Sequence, residues 1–251
     1  PVPLGFVSGT ARPKIPGLWP NVYPDRFLRR RLNSIDGQTY TNIEVILLDD
    51  CSSDRSRFIL DQYAAAYPEI TRTLYNDKNS GSPFRQWARG IKAAIGDIIW
   101  VAESDDFCDE RFLEELVRYF DDEAVMLAYA KCVFVDRDEV PMRDQFKIHL
   151  SDLECAEKWN SSYVEAAHNE VRCALGIKNT IPNASGVLFK RPIDMPLLDD
   201  ESWLSMVVAG DWVFYLQLIR GGKIAYSTET TNFFRRHEGN ATETTYKKEV
   251  F

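Results

Sequence analysis

The sequence predicts an α/β fold built on a mostly parallel central sheet flanked by helices. Two continuous apolar runs, 43–48 and 98–102, lack the alternation of a half-exposed strand and read as strands buried on both faces. Segments with helical spacing separate them, so strand and helix alternate as in βαβ units. A chain of 251 residues with 45% apolar content is long enough to enclose such a sheet in one domain.

Residues 1–14 are rich in Pro and Gly and form an irregular N-terminal segment. A short first strand is expected around 15–19, although Pro16 lacks a ladder donor and Gly17 weakens a strand interior. Phe27, Leu28, Leu32 and Ile35 recur at helical spacing among Arg29, Arg30 and Arg31, which predicts an amphipathic helix. After the 43–48 strand, Ser52 or Ser53 is placed to cap a helix carrying Phe58, Ile59 and Tyr63. A strand at 71–75 and a turn-rich loop at 79–83 follow.

Phe84, Trp87, Ile91 and Ile95 then share one helical face, which makes Trp87 a core residue. The 98–102 strand leads to a helix from Asp109 with Phe112, Leu113, Leu116 and Phe120 inside, and a strand at 125–135 closes this half. The remainder is less regular. Helices are expected near 157–171 and 211–220, with strands near 187–190 and 223–227.

The acids carry the chemistry. Apolar residues 45–48 run straight into Asp49-Asp50, and 98–101 run through Ala102 into Glu103-Ser104-Asp105-Asp106. Right-handed crossovers bring both strand ends to one sheet edge, where open α/β sheets bind ligands. Like charges gathered there cost stability unless a cation or hydrogen-bond donors balance them. Hard oxygen ligands select Mg²⁺ or Mn²⁺, and such ions keep positions open for phosphate oxygens, so a metal–diphosphate site fits. The alternative is that these acids cap the following helices, as Asp54 and Asp109 are placed to do.

A formal charge of −8 argues against a nucleic-acid or anionic-membrane surface. P-loop, dinucleotide-binding, G-x-S-x-G and H-E-x-x-H patterns are absent. Five scattered cysteines without a C-x-x-C pair fit a reducing, cytoplasmic setting. The Asn-x-Ser/Thr triplets at Asn160, Asn183 and Asn240 matter only in a secreted chain. No apolar run reaches the roughly 18 residues of a membrane span. The chain begins at Pro1 without a signal peptide, so a piece of a larger multidomain protein is expected. Contact with the inner face of a membrane would come through other parts of that parent.

Gln38-Thr39-Tyr40, the stretch from Ile43 to Asp54, Asn79-Ser80-Gly81, Gly90-Ile91 with Ala94 and Gly96, and Glu103-Ser104-Asp105-Asp106 together resemble the family-two glycosyltransferases. The later Gly210-Asp211 and Arg235-Arg236-His237 with Asn240 and Thr242 are similar to further motifs of that family. The resemblance implies a GT-A (Rossmann-like) fold, a nucleotide-diphospho-sugar donor, a saccharide or lipid-linked acceptor, inversion at the anomeric carbon and Mn²⁺ or Mg²⁺. Residues 15–136 would form the nucleotide-sugar half, and 137–251 the acceptor-binding, catalytic half of the same domain. Bacterial cell-surface polysaccharide synthesis is the employment it implies.

By matching positions, Asp50 would contact the base with Asp49 supporting its loop, Asp105 the ribose, and Asp106 the metal. Asp211 would be the general base, and the alternative is that it caps the following helix. Two positions depart from the pattern: Glu103 and Gly210 stand where the family often has Asp and Glu. His237 is a candidate metal or diphosphate contact, or else a surface residue. Arg85 and Gln86 are placed either to reach the nucleotide or to lie on a solvated helix face. Glu103, Ser185 and Gly186 are candidate acceptor or donor-sugar contacts. Two other readings are a sugar nucleotidyltransferase, which calls for a glycine-rich basic loop better than Arg12-Pro13-Lys14, and a non-catalytic binding module.

Overall fold

The computed structural model describes residues 14–21, 25–192 and 195–236. Its first half alternates β1 (Ile15–Asn21), α1 (Asp25–Asp36), β2 (Ile43–Asp49), α2 (Ser56–Ala66), β3 (Thr71–Tyr75), α3 (Pro83–Ala93) and β4 (Ile98–Val101). There follow β5 (Phe107–Cys108), α4 (Phe112–Val117), β6 (Val125–Val135), α5 (Gln145–Leu150), β7 (Tyr163–Ala166) and α6 (Ala167–Glu170). The chain continues with β8 (Val187–Lys190), α7 (Glu201–Leu204), α8 (Gly210–Leu218) and β9 (Lys223–Arg235).

Among the described residues the strands form one sheet in the order β3-β2-β1-β4-β8-β6-β9-β5, with β7 also on β9. The ladders β3-β2-β1-β4 are parallel. Beyond β4 the sheet is mixed: β8 is antiparallel to both neighbours, β6 and β9 are parallel, and β5 and β7 are antiparallel to β9.

Both sheet faces are covered, which is why the strands read as unbroken apolar runs. Val45, Leu47, Ile98 and Trp100 pack with Leu28, Leu60 and Leu113 of α1, α2 and α4. Ile46, Leu48, Ile99 and Val101 point the other way, toward Trp87 of α3 and Phe214 of α8. This alternation is the two-residue period of a strand with both faces buried.

The first strand tolerates its prolines. It pairs with β2 from Ile15 opposite Ile43 to Asn21 opposite Asp49, two residues further than expected, but with β4 only at Gly17 and Leu18. Pro16 and Pro20 therefore lie outside the β4 ladder, where a missing N–H breaks no rung.

Other expectations change in detail. Neither Ser52 nor Ser53 caps α2: the cap position is Arg55, and Asp54 Oδ1 accepts from the Ser56 amide at 2.9 Å. Asp109 does not cap α4; its carboxylate accepts the Thr231 amide at 2.8 Å. The helix expected over 157–171 is instead a 3-10 turn at Ala156–Asn160, then β7, then α6 and a π turn at Val171–Leu175. Pairing with β9 imposes the extended conformation there, a tertiary override of local spacing. Ile95 lies beyond the end of α3 and is exposed. No helix among the described residues is long and apolar enough to cross a membrane.

Glu44 shows how the edge opposite the acids is held. Its buried carboxylate accepts the Ile95 and Gly96 amides at 2.7 and 3.1 Å and pairs with Arg72 at 3.2 Å. Glu44→Ala orphans those amides, and urea unfolding is expected to show a loss of about 2–4 kcal/mol.

Candidate active site

The C-terminal ends of β2 and β4 lie on either side of β1, so the two acidic groups open onto one edge at roughly 10 Å separation, two strand spacings. The two ends are built differently. At β2, Asp49 is fully buried and Arg57 of α2 grips its Oδ2 through Nη2 at 2.8 Å and Nε at 3.1 Å. Its Oδ1 is buried without a hydrogen-bond partner.

Asp50 faces the loop that follows β3. Its Oδ1 accepts from Asn76 Nδ2, the Ser80 amide and Gln86 Nε2 at 2.6, 2.8 and 2.9 Å. Its Oδ2 accepts from the Ser80 hydroxyl at 2.7 Å, and Asn79 Nδ2 donates to its carbonyl at 2.9 Å. Cys51 follows at φ 64°, a left-handed turn that carries the chain away from the edge. Asp50 thus closes the Asn79-Ser80 loop onto β2, and Gln86 is one of the residues that holds it.

After β4 the acidic loop is braced from within. The Glu103 amide donates to Ser185 Oγ at 3.0 Å, and Arg31 Nε donates to the Glu103 carbonyl at 2.9 Å. Asp106 turns inward: Oδ1 accepts the Arg235 amide at 2.9 Å and Oδ2 accepts Asn183 Nδ2 at 2.6 Å. It is 1% exposed, and burial, with Asp105 adding repulsion, pushes its carboxyl up to about 7. Arg31 and the donors oppose the rise.

Glu103 is the contrasting acid. It is partly exposed, and no described residue hydrogen-bonds or ion-pairs with its carboxylate. Surrounding protein strips water from it and raises its pKa well above the usual range; Asp105, Asp106 and Asp211 raise it further, against Arg31. The charges of Asp211 and Glu103 therefore act on one another, which relates the start of α8 to the acidic loop.

Asp211 lies in the first turn of α8, not at its cap. The cap position is Ala209, held at φ 61°. Gly210 is buried so closely that a Cβ would stand 2.5 Å from the Phe84 ring and 2.8 Å from the Trp203 carbonyl, which accounts for glycine where the family often carries Glu. Trp212 Nε1 donates to the Leu175 carbonyl at 2.6 Å and anchors the start of the helix. Burial raises the Asp211 pKa, opposed by the Trp212 amide and the Asn179 side chain. One turn on, the Tyr215 hydroxyl is buried without a partner.

The remaining candidates are placed elsewhere. Arg85 forms a two-pronged surface pair with Glu201 at 2.7 and 3.1 Å instead of turning to the acids. Ser185 is fully buried and its hydroxyl accepts the Glu103 amide, and Gly186 is buried beside it. His237 lies outside the described residues. Among the described residues no three His, Cys, Asp or Glu side chains gather as a self-contained metal cage.

Sequence reasoning missed Arg31, Arg57, Asn76 and Asn183. Arg31 and Arg57 read as the polar faces of helices. Asn183 reads as a modification triplet but is buried against Asp106, and only the fold brings it there.

Two outcomes follow from this geometry. Gly210→Ala overpacks Phe84 and is expected to cost about 1–3 kcal/mol in urea unfolding. The native Asp106 carboxyl holds its proton to a higher pH than the unfolded one, so between about pH 4 and 7 the native state binds more protons. Its contribution to stability is present at the acid end and is lost as pH rises toward 7. Asp106→Asn should flatten that fall in urea midpoints measured across the window.

Comparisons with known proteins bear on the family and the fold. A Mycobacterium tuberculosis protein of uncharacterized function is 27% identical over 216 residues, 85% of this chain and 56% of its own length. The crystal structure of Staphylococcus aureus TarS residues 1–349 with UDP-GlcNAc superposes with a TM-score of 0.68 at 19% identity, covering 92% of this chain and 61% of that one. The mannosyltransferase PcManGT from Pyrobaculum calidifontis, in complex with GDP-Man and Mn²⁺, gives 0.68 at 16% identity, covering 95% and 61%. The chain thus spans less than two thirds of these relatives, and at such identities the superpositions establish the GT-A fold. Residues 23–182 match the family described as Glycosyl transferase family 2, and the chain belongs to that family.

Proposed function

We propose that this chain transfers a sugar from a nucleotide-diphospho-sugar to a hydroxyl of a saccharide or lipid-linked acceptor, with inversion and with Asp211 as general base. What supports the proposal is that Asp211, in the first turn of α8, acts on the charge of Glu103 in the loop after β4, while Gly210, packed against Phe84 and Trp203, fixes the start of that helix. In a single displacement the acceptor oxygen attacks the anomeric carbon opposite the departing diphosphate, so the base must stand on the face away from that group. Burial raises its pKa, which makes it a stronger proton acceptor than an exposed carboxylate.

A divalent cation fits the donor set. Mg²⁺ and Mn²⁺ bind through one or two carboxylates together with substrate phosphates, so a three-acid cage is not required. Glu103 fits best: its carboxylate has no protein donor and is crowded by acids that a cation would relieve. Asp105 is its neighbour in this role. Asp106, first matched to the metal by position, has both oxygens engaged inside the protein and supports the loop instead. When bound, the cation neutralises charge growing on the leaving diphosphate. Asp49 and Asp50 hold the β2 edge and the Asn79-Ser80 loop where the nucleoside would lie.

The relatives support the donor class, since TarS was solved with UDP-GlcNAc and PcManGT with GDP-Man and Mn²⁺. TarS, by its name a poly(ribitol-phosphate) β-N-acetylglucosaminyltransferase, also supports a role in cell-surface polymer synthesis. The absence of a long apolar helix among the described residues is compatible with work at the cytoplasmic face.

Calorimetry with UDP, GDP and dTDP, with and without Mn²⁺, tests the donor site. Binding of one nucleotide that depends on metal and disappears in Glu103→Gln is expected; indifference to metal for all three overturns the cation reading. Asp211→Asn should keep that binding and lower kcat by about 10²–10⁴-fold, whereas unchanged turnover would remove Asp211 as the base.

A further inference from the structure

Two buried arginines reach the acidic loop from opposite elements, and both hold its main chain. Arg31 of α1 donates from Nε to the Glu103 carbonyl at 2.9 Å, and Arg235 of β9 donates from Nε to the Asp105 carbonyl at 2.8 Å. Each is 1% exposed. Arg31 lies over the Trp100 ring at 5.0 Å, and Arg235 over the Phe27 ring at 4.5 Å. Arg235 is fixed further by the Arg137 carbonyl at 3.1 Å and Glu139 at 3.0 Å.

Arg31 is the anomaly. A buried guanidinium is costly unless its donors are satisfied, yet it forms no ion pair among the described residues and its Nη2 has no partner. Its charge acts on the Glu103 and Asp106 carboxyls, yet its side chain grips a carbonyl. That choice has a consequence: a pair with a loop carboxylate would neutralise it and turn it away from the pocket, whereas a grip on the carbonyl fixes the backbone and leaves the carboxylate available.

We propose that Arg31 is a positioning residue for the cation and diphosphate, with Arg235 as its counterpart on the other side of the loop. Together they hold residues 103–106 in a single conformation against the mutual repulsion of their side chains, so that Glu103 faces the donor. The proposal rests on the donor–cation reading for its function, though not for its mechanics.

The sign of one measurement separates this from a passive counter-charge. A positive charge near a cation site repels the cation, so removing a bystander arginine would tighten metal binding. Removing a brace weakens it. The test compares wild type, Arg31→Met, Arg31→Lys and Leu60→Ala, the last a buried apolar residue of α2 that offers the loop no side-chain donor and serves as a control for general destabilisation. The Mn²⁺ concentration giving half-maximal binding of UDP, GDP or dTDP is expected to rise at least about tenfold in both Arg31 variants and to stay unchanged in Leu60→Ala. Unchanged or tighter metal binding in Arg31→Met, wild-type binding in Arg31→Lys, or an equal rise in Leu60→Ala overturns the proposal.

Hydrogen exchange without nucleotide provides a readout independent of the enzyme reading. The amides of 103–106 should lose protection in Arg31→Met and keep it in Leu60→Ala, and equal protection in both sinks the brace. If wild type binds no nucleotide with metal while that exchange pattern holds, the donor–cation reading fails and the brace stands.

Discussion

Negative charge concentrated at one sheet edge constrains everything around it. Asp49 and Asp50 arrive from β2, Glu103, Asp105 and Asp106 after β4, and Asp211 from α8. In a partly desolvated setting such a group repels itself, and the protein meets the problem differently at each member. Arg57 neutralises Asp49, amide and hydroxyl donors surround Asp50, and Asn183 with the Arg235 amide satisfy Asp106. Asp211 is met by the Trp212 amide and the Asn179 side chain, whereas the Glu103 carboxylate receives no donor among the described residues, and burial raises the pKa of both.

The second half of the chain is organised by the same need. Strand β9 runs alongside β6 over most of its length and ends where its last residue, Arg235, supplies an amide to Asp106 and a guanidinium to the Asp105 carbonyl. The turn before β8 brings Asn183 and Ser185 under the loop from the other side. The helix start at Ala209–Gly210 is packed tightly against Phe84 and Trp203, so the position of Asp211 is set by core packing as well as by α8 itself. A donor edge belonging to one half of the sequence therefore depends on side chains from the other.

Much of this was legible in the residues alone. Short, largely apolar runs ending in acids identified β2 and β4, because their length and β-rich content suit a strand buried on both faces better than a helix. Asp211 at the head of a helix was legible for a similar reason. The 157–171 segment was misread as helix because pairing with β9, far along the chain, outweighs local spacing. Position along a loop does not reveal which way a carboxylate turns, so the donors that meet Asp106 and the burial of Ser185 are visible only in the fold.

The sequence by itself determined the α/β alternation, the family and which strand ends carry acids, since these rest on periodicity and on residues adjacent in the chain. Tertiary structure alone decided how hydrogen-bond donors are divided among those acids. That division depends on Arg31, Asn183 and Arg235, which lie 72, 77 and 130 positions from the acidic residues they contact. A hydrogen bond across such a separation is set by the packing of the sheet and helices, which no short segment encodes.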